Sequence, residues 1–143
     1  MKVVLDTNVL VAGLRSRQGA SFRILTELPE RRFTPVISVP LMLEYEAVLK
    51  RPEHSSQITL GGDDVDAILD MVAAVSDHVR LFYLWRPLSR DPADDMVIET
   101  AVAGSASGIV TFNRRDFEGA ASQFGLNLMT PGEFLVALKE EGP

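Results

Sequence analysis

Oxygen-bearing side chains follow the apolar segments of this chain at four separate places. They are Asp6 with Asn8, Glu44, Asp94 with Asp95, and Thr111 with Asn113 and Asp116. Hard divalent cations such as Mg²⁺ and Mn²⁺ prefer oxygen ligands, and the sequence has no cysteine and only 2 histidines to form a zinc site. The carboxylates therefore predict a Mg²⁺ or Mn²⁺ site. Such a site suits phosphoryl chemistry, because the cation activates water and stabilises charge on the leaving oxygen.

Each of these acids also has a purely structural explanation. Asp6 could cap the turn that follows it, and Asp116 could cap the next helix. Asp94 and Asp95 fall in a predicted first helical turn, where the helix dipole favours acids. Glu44 could lie at the border of an apolar helix face. No single acid establishes a metal site, and the prediction rests on several of them together.

The elements that must position these side chains alternate between strand and helix. Apolar runs and helical periodicity predict strands at 2–5, 35–39, 79–84, 108–111 and 126–129, a loop at 13–19, and helices at 20–28, 40–49, 63–76, 94–104, 114–124 and 131–140. This order predicts an α/β fold with a mostly parallel sheet of four to five strands and helices on both faces. Ligands bind beyond the carboxyl ends of such strands, where Asp6 and Thr111 are expected.

The predicted helix at 40–49 gives Glu44 a defined direction. Residues three and four apart share a helix face, so Glu44 should lie with Leu41 and Val48 while Glu46 points elsewhere. If the acids share one cation, Asp6, Glu44 and Asp95 should place carboxyl oxygens within about 5 Å of a common point. Because clustered carboxylates repel one another, bound metal is expected to stabilise the protein.

Four motifs in this order resemble a known family. VLDTNVLVAGL, Glu44 in its helix, DPADDMVIETAVAG and VTFNRRDF together resemble PIN-domain proteins, especially the toxin components of bacterial and archaeal toxin–antitoxin pairs. The resemblance implies a three-layer α/β/α sandwich and an endoribonuclease that depends on Mg²⁺ or Mn²⁺. By position, Asp6, Glu44 and Asp95 match the metal-binding acids of the family, and Asn8 matches the polar residue after the first of them.

The fourth acid departs from the commonest pattern of the family. Many relatives have Asp where this chain has Asn113, and others use the position of Asp116. The resemblance also implies an RNA substrate, a homodimer, and inhibition by a cognate antitoxin protein that enters the active-site groove.

Two other functions remain open. A phosphatase of the haloacid dehalogenase type also begins with a strand that ends in Asp, but it needs a second acid where Asn8 stands. A catalytically silent PIN-like module that binds RNA or a protein is the alternative from a different class, and Asn113 keeps it open.

Length and composition fit a single domain spanning 1–143 that is expected to be soluble and cytoplasmic. No apolar run approaches the roughly 20 residues that span a bilayer. The net charge of −6 argues against nucleic acid, although 11 of the 14 basic residues are Arg, which suits phosphate geometry. These arginines crowd two regions, at 15–23 and at 86–115. Trp85 is a candidate for stacking on a base.

Overall fold

The computed structural model of the chain describes residues 1–51, 62–81 and 92–141. Five strands in these ranges form one sheet: β1 (Lys2–Leu5), β2 (Thr34–Ile37), β3 (Asp77–His78), β4 (Gly108–Val110) and β5 (Asn127–Met129). The strands pair in the order β3-β2-β1-β4-β5, and every pairing is parallel. The predicted α/β class is confirmed, with an all-parallel sheet.

Seven α-helices are described along this sheet, together with a short 3₁₀ turn. The helices are α1 (Thr7–Arg15), α2 (Ala20–Glu27), α3 (Val39–Leu49), α4 (Gly62–Val75), α5 (Pro92–Ala103), α6 (Glu118–Phe124) and α7 (Pro131–Glu141), and the 3₁₀ turn is Arg114–Phe117. The helix predicted at 114–124 is thus divided between that turn and α6. None of the helices in the described ranges combines the length and apolarity needed to cross a membrane.

Helix α1 was not predicted, and Gly13, which we expected in a loop, lies inside it. The physical reason is the close packing of α1 on α2. A Cβ at Gly13 would lie 2.6 Å from Leu25 Cδ1 and 3.1 Å from the carbonyl oxygen of Ser21. Glycine therefore permits a close helix contact here, although it usually signals a turn or a helix end.

The third strand begins earlier than the predicted 79–84, whose last three residues lie outside the described ranges. Strand β3 consists of two polar residues, Asp77 and His78, and Lys2 forms an ion pair with Asp77 at 2.8 Å. The N–H of Val79 still donates to the Ile37 carbonyl at 2.9 Å. Because β3 lies at the edge of the sheet, it tolerates polar side chains. The apolar run that begins at Val79 therefore predicted the strand too late in the chain.

The centre of the sheet is fully buried. Val3, Val4 and Leu5 of β1 and all three residues of β4 are buried, so these two strands form the middle of the core. The order of strand addition reverses between them: β2 and β3 follow β1 on one side of the sheet, and β4 and β5 lie on the other side. The carboxyl ends of β1 and β4 therefore border the crevice where ligands bind in open α/β sheets.

Candidate functional site

Asp6 lies at that crevice, directly after β1. It is 9% exposed, and its backbone N–H donates to the Val110 carbonyl at 2.9 Å. Its carboxylate accepts two hydrogen bonds, from the Thr7 N–H to Oδ1 at 2.8 Å and from the Thr111 hydroxyl to Oδ2 at 2.7 Å. Asp6 is thus the N-cap of α1, as the structural explanation held. The bond to Thr111 goes beyond capping, because it joins the ends of the two central strands.

Tyr45 fixes α3 against the same strand end. Its hydroxyl donates to the carbonyl oxygen of Leu5, the residue before Asp6, at 2.5 Å. Burial, and then the nearby charge of Asp6, raises the pKa of the Tyr45 phenol. The hydroxyl therefore stays protonated and keeps its role as a donor. This contact holds the helix that carries Glu44 next to the strand that carries Asp6.

Glu44 lies on α3 beside Tyr45. It is half-buried while Glu46 is exposed, which confirms the predicted difference in direction between the two acids. Helix α3 starts directly after β2, with Ser38 as its N-cap. Glu44 therefore lies in the second turn of a helix that begins at the carboxyl edge of the sheet.

Helix α5 brings acids to this edge from its first turn. Asp94 is half-buried and Asp95 is 3% exposed. The helix is held over the sheet by Thr100, whose hydroxyl lies 2.8 Å from that of Ser38, the residue after β2. Because α5 leads from the carboxyl end of β3 to the start of β4, its first turn lies at the ligand-binding edge.

Glu99 is a candidate that the sequence did not single out. It is 3% exposed and lies four residues after Asp95, on the same helix face. Its spacing from Asp95 is the signal that could have identified it, but the neighbouring apolar residues Val97, Ile98 and Ala101 are typical of an ordinary core helix. Burying two carboxylates on one helix face lowers the stability of the fold, because charges are expensive to bury and like charges at this spacing repel. A bound cation would offset that cost.

The fourth strand end carries one buried candidate and two exposed ones. Thr111 is fully buried and binds Asp6, but Asn113 and Asp116 are both exposed. The Asn113 N–H donates to the Thr111 hydroxyl oxygen at 3.0 Å, which orders the turn after β4. Asp116 lies inside the 3₁₀ turn, not ahead of it as a cap. The structure therefore supports Thr111 as a site residue more directly than either candidate for the fourth acid.

The carboxylates share an edge of the sheet but do not form a ready cluster. Across the described parts of the chain, no group of three or more acidic or histidine side chains is arranged to hold a metal ion. The common point expected for Asp6, Glu44 and Asp95 stays a prediction. Like charges repel at ligand distances without a cation, and both carboxylate oxygens of Asp6 accept hydrogen bonds from Thr7 and Thr111.

The donor types at this edge nevertheless fit a hard cation. Every candidate ligand is an oxygen, and the amide oxygen of Asn8 is buried with no hydrogen-bond partner among the described residues. A buried acceptor of this kind costs free energy unless a cation or a donor satisfies it. The side chains of Asp6, Asn8 and Asp95 therefore suit Mg²⁺ or Mn²⁺ in kind, while their role as ligands stays a prediction.

A groove of about 590 Å³ adjoins this edge, and its lining includes Thr7 and Asn8 together with Arg15 and Phe112. Of the arginines that were candidates for RNA contacts, Arg114 forms an exposed ion pair with Glu133 at 3.1 Å. Trp85, Arg86 and Arg90 lie outside the described residues.

Comparison with protein families gives a match over most of the chain. Residues 2–115 match the family model of the PIN domain, a family of nucleases that typically depend on divalent metal ions. That range includes Asp6, Glu44, Asp95 and Thr111. No curated protein matches the chain. Sheet topology and the matched family model agree, and the chain belongs to the PIN-domain family.

Proposed function

We propose that this protein is an endoribonuclease that uses Mg²⁺ or Mn²⁺ to hydrolyse RNA phosphodiester bonds, and that it acts as the toxin of a toxin–antitoxin pair. The observation that carries the nuclease proposal is the buried Asp6 at the ends of β1 and β4, held by Thr111. The buried Asp95 in the first turn of α5 supports it from a second element.

Asp6, Glu44 and Asp95 would hold the cation, with Asn8 as a neutral oxygen ligand. When bound, the cation supplies an activated water molecule and stabilises negative charge on the leaving oxygen. The hydroxyl of Thr111 orients Asp6, and the contact between Tyr45 and Leu5 keeps α3 next to that carboxylate. Asp94 supports Asp95 from the same helical turn, and Asp116 or Asn113 would complete the site only by turning inward.

Two partners are proposed from the family resemblance. A cognate antitoxin would insert a segment into the groove beside the acids and block access to RNA. A homodimer would cover apolar surface, and α3 exposes two large apolar side chains, with Val39 72% and Leu43 61% exposed. Exposed apolar surface of this kind is common at interfaces between subunits.

Cleavage of RNA by the purified protein tests the proposal. We expect degradation of total RNA with Mn²⁺ or Mg²⁺, none with EDTA, and a rate at least about a hundredfold lower for Asp6→Asn, since even outer-shell partners of a metal site affect activity on that scale. The control is Asp70→Asn, which changes an exposed acid on α4 and should cleave like the wild type.

Each other result has a clear meaning. Cleavage that Asp6→Asn retains would contradict the assigned site if it copurifies with this protein, and would indicate a contaminating nuclease if it separates from it. Wild-type protein that binds RNA or a protein partner without cleaving any RNA would favour the silent binding module. Two observations favour that second candidate: no group of three or more acids or histidines is arranged to hold a metal among the described residues, and Asn113 stands where many relatives have Asp.

A further inference from the structure

The groove next to Asp6 is lined mainly by apolar side chains, unlike the edge of the sheet that carries Asp6, Glu44 and Asp95. Val11, Ala12 and Val48 give it an apolar lining, and Arg15 and Phe112 also line it. It is continuous with the candidate site, because the Asp6 carboxylate accepts hydrogen bonds from Thr7 and Thr111. Thr7 itself lines the groove, and Phe112, which also lines it, directly follows Thr111. Whatever occupies the groove therefore lies beside the proposed metal site.

Phe112 is the aromatic side chain of this groove. It is 51% exposed, although its neighbour Thr111 is fully buried. The other large aromatic side chains of the core, such as Phe117 and Phe134, are buried completely. An exposed phenyl ring beside a site for phosphodiester cleavage offers a flat surface on which any nucleobase can stack.

Arg15 adds a positive charge to the same groove. It is exposed and occupies the last turn of α1. Guanidinium groups bind phosphate oxygens in a planar, bidentate geometry. Because the chain has a net charge of −6, the general field repels nucleic acid, and affinity must come from local cations of this kind.

We infer that this groove binds an unpaired nucleotide of single-stranded RNA beside the scissile phosphate, with its base stacked on Phe112 and its backbone phosphate held by Arg15. This inference rests on the proposed function and assigns the residues beside that site that would hold the base and the phosphate. A base within a duplex cannot expose its face to Phe112, so the target must be a loop, a bulge or a single strand.

Binding measured in EDTA separates this inference from catalysis. The probes are a fluorescent oligoadenylate and an abasic oligonucleotide of the same length, which has the phosphates but no bases. Phe112→Ala should weaken oligoadenylate binding by about 5- to 150-fold and leave abasic binding unchanged, and Phe112→Trp should restore the affinity. Arg15→Gln should weaken binding of both probes and reduce the salt dependence by about 0.7 in log–log slope.

The matched control is Val136→Ala, which trims another exposed apolar side chain outside the groove and should not change binding. Melting curves of all variants show whether each one is folded. Unchanged oligoadenylate binding by Phe112→Ala, or an equal loss with the abasic probe, would overturn the inference. Failure of the wild type to bind single-stranded RNA would also overturn it and would favour a protein segment in the groove. Binding as expected without cleavage in Mn²⁺ would contradict only the proposed function.

Discussion

Two groups of acids in this protein have the same charge and opposite surroundings. Asp6, Asp95 and Glu99 are buried at or near the carboxyl edge of the sheet. Several surface acids lie beside cations: Lys50, for example, pairs with Asp66 at 2.7 Å and with Glu46 at 3.6 Å. Exposed ion pairs of this kind add little to stability, and they need no further explanation. Burying a carboxylate costs free energy unless its surroundings stabilise the charge, so a bound cation should matter more to the buried acids than to the surface acids.

Replacing Glu99 should show the largest difference in Mn²⁺ affinity and cleavage between a buried acid and a surface acid. Glu99 is buried one turn from Asp95. Replacing it in Glu99→Gln should therefore lower the affinity for Mn²⁺ and the cleavage rate by up to about a hundredfold, which is the upper range for residues that support a metal site. Glu46→Gln, which changes an exposed glutamate, should have no such effect. Calorimetric titration with Mn²⁺ checks the affinity. If Glu99→Gln and Glu46→Gln had the same Mn²⁺ affinity and cleavage rate, Glu99 would have no role in the metal site in spite of its burial.

A smaller effect is expected at Thr111, which belongs to the buried group through its hydrogen bond to Asp6. Thr111→Val keeps the shape of the side chain but removes the donor, so activity should fall about tenfold and stability by about 1.5–3 kcal/mol, as for hydrogen bonds to charged groups. Thr111→Ser retains the hydroxyl and serves as the control. Urea unfolding and RNA cleavage measure the two effects, and a serine variant as impaired as the valine variant would contradict this role of the hydroxyl.

The smallest effect on cleavage is expected from the hydrogen-bonded pair of Thr130 and the surface acid Glu133. The N–H and hydroxyl of Thr130, and then Arg114, lower the pKa of the Glu133 carboxyl, and the two residues form a capping box at the start of α7. Thr130→Ala should lower stability by about 1 kcal/mol without changing cleavage.

The sign of the pH effect follows from the lowered pKa. A depressed pKa contributes stability that is present above the unfolded value of about 4.3 and is lost as the pH falls through the folded value. Glu133→Gln should therefore differ from the wild type at neutral pH and converge with it in acid, as chemical unfolding at both pH values would show. A difference that grows in acid would contradict the capping box.

The sequence predicted the fold well because alternating elements and buried strands leave a simple pattern. Asp6 and Thr111 were expected at neighbouring strand ends, and their hydrogen bond spans 105 positions of the chain. Helix α1 was missed because its buried residues cover most of its circumference and Gly13 permits a close contact that only the neighbouring α2 explains. Glu99 was missed because periodicity cannot distinguish a buried glutamate from a border residue.

The arrangement of the acids is harder to predict than their positions along the chain. Sequence patterns place Asp6, Glu44 and Asp95 at one edge of the sheet, but the direction of each carboxylate depends on hydrogen bonds such as those from Thr7 and Thr111. Like-charge repulsion opposes a closed cluster until a cation offsets it. The family match over 2–115 supports nuclease ancestry and does not test these directions.

The melting temperature with and without divalent metal tests most directly whether the buried acids form a cation site. A cation at a hundredfold excess over its Kd should stabilise the folded protein by about 2.7 kcal/mol, and the melting temperature should rise with Mg²⁺ or Mn²⁺ concentration. We expect Asp6→Asn and Asp95→Asn to abolish this rise and Asp66→Asn, which changes an exposed acid, to retain it. A melting temperature indifferent to both metals, or a rise that Asp6→Asn and Asp95→Asn leave intact, would contradict the account.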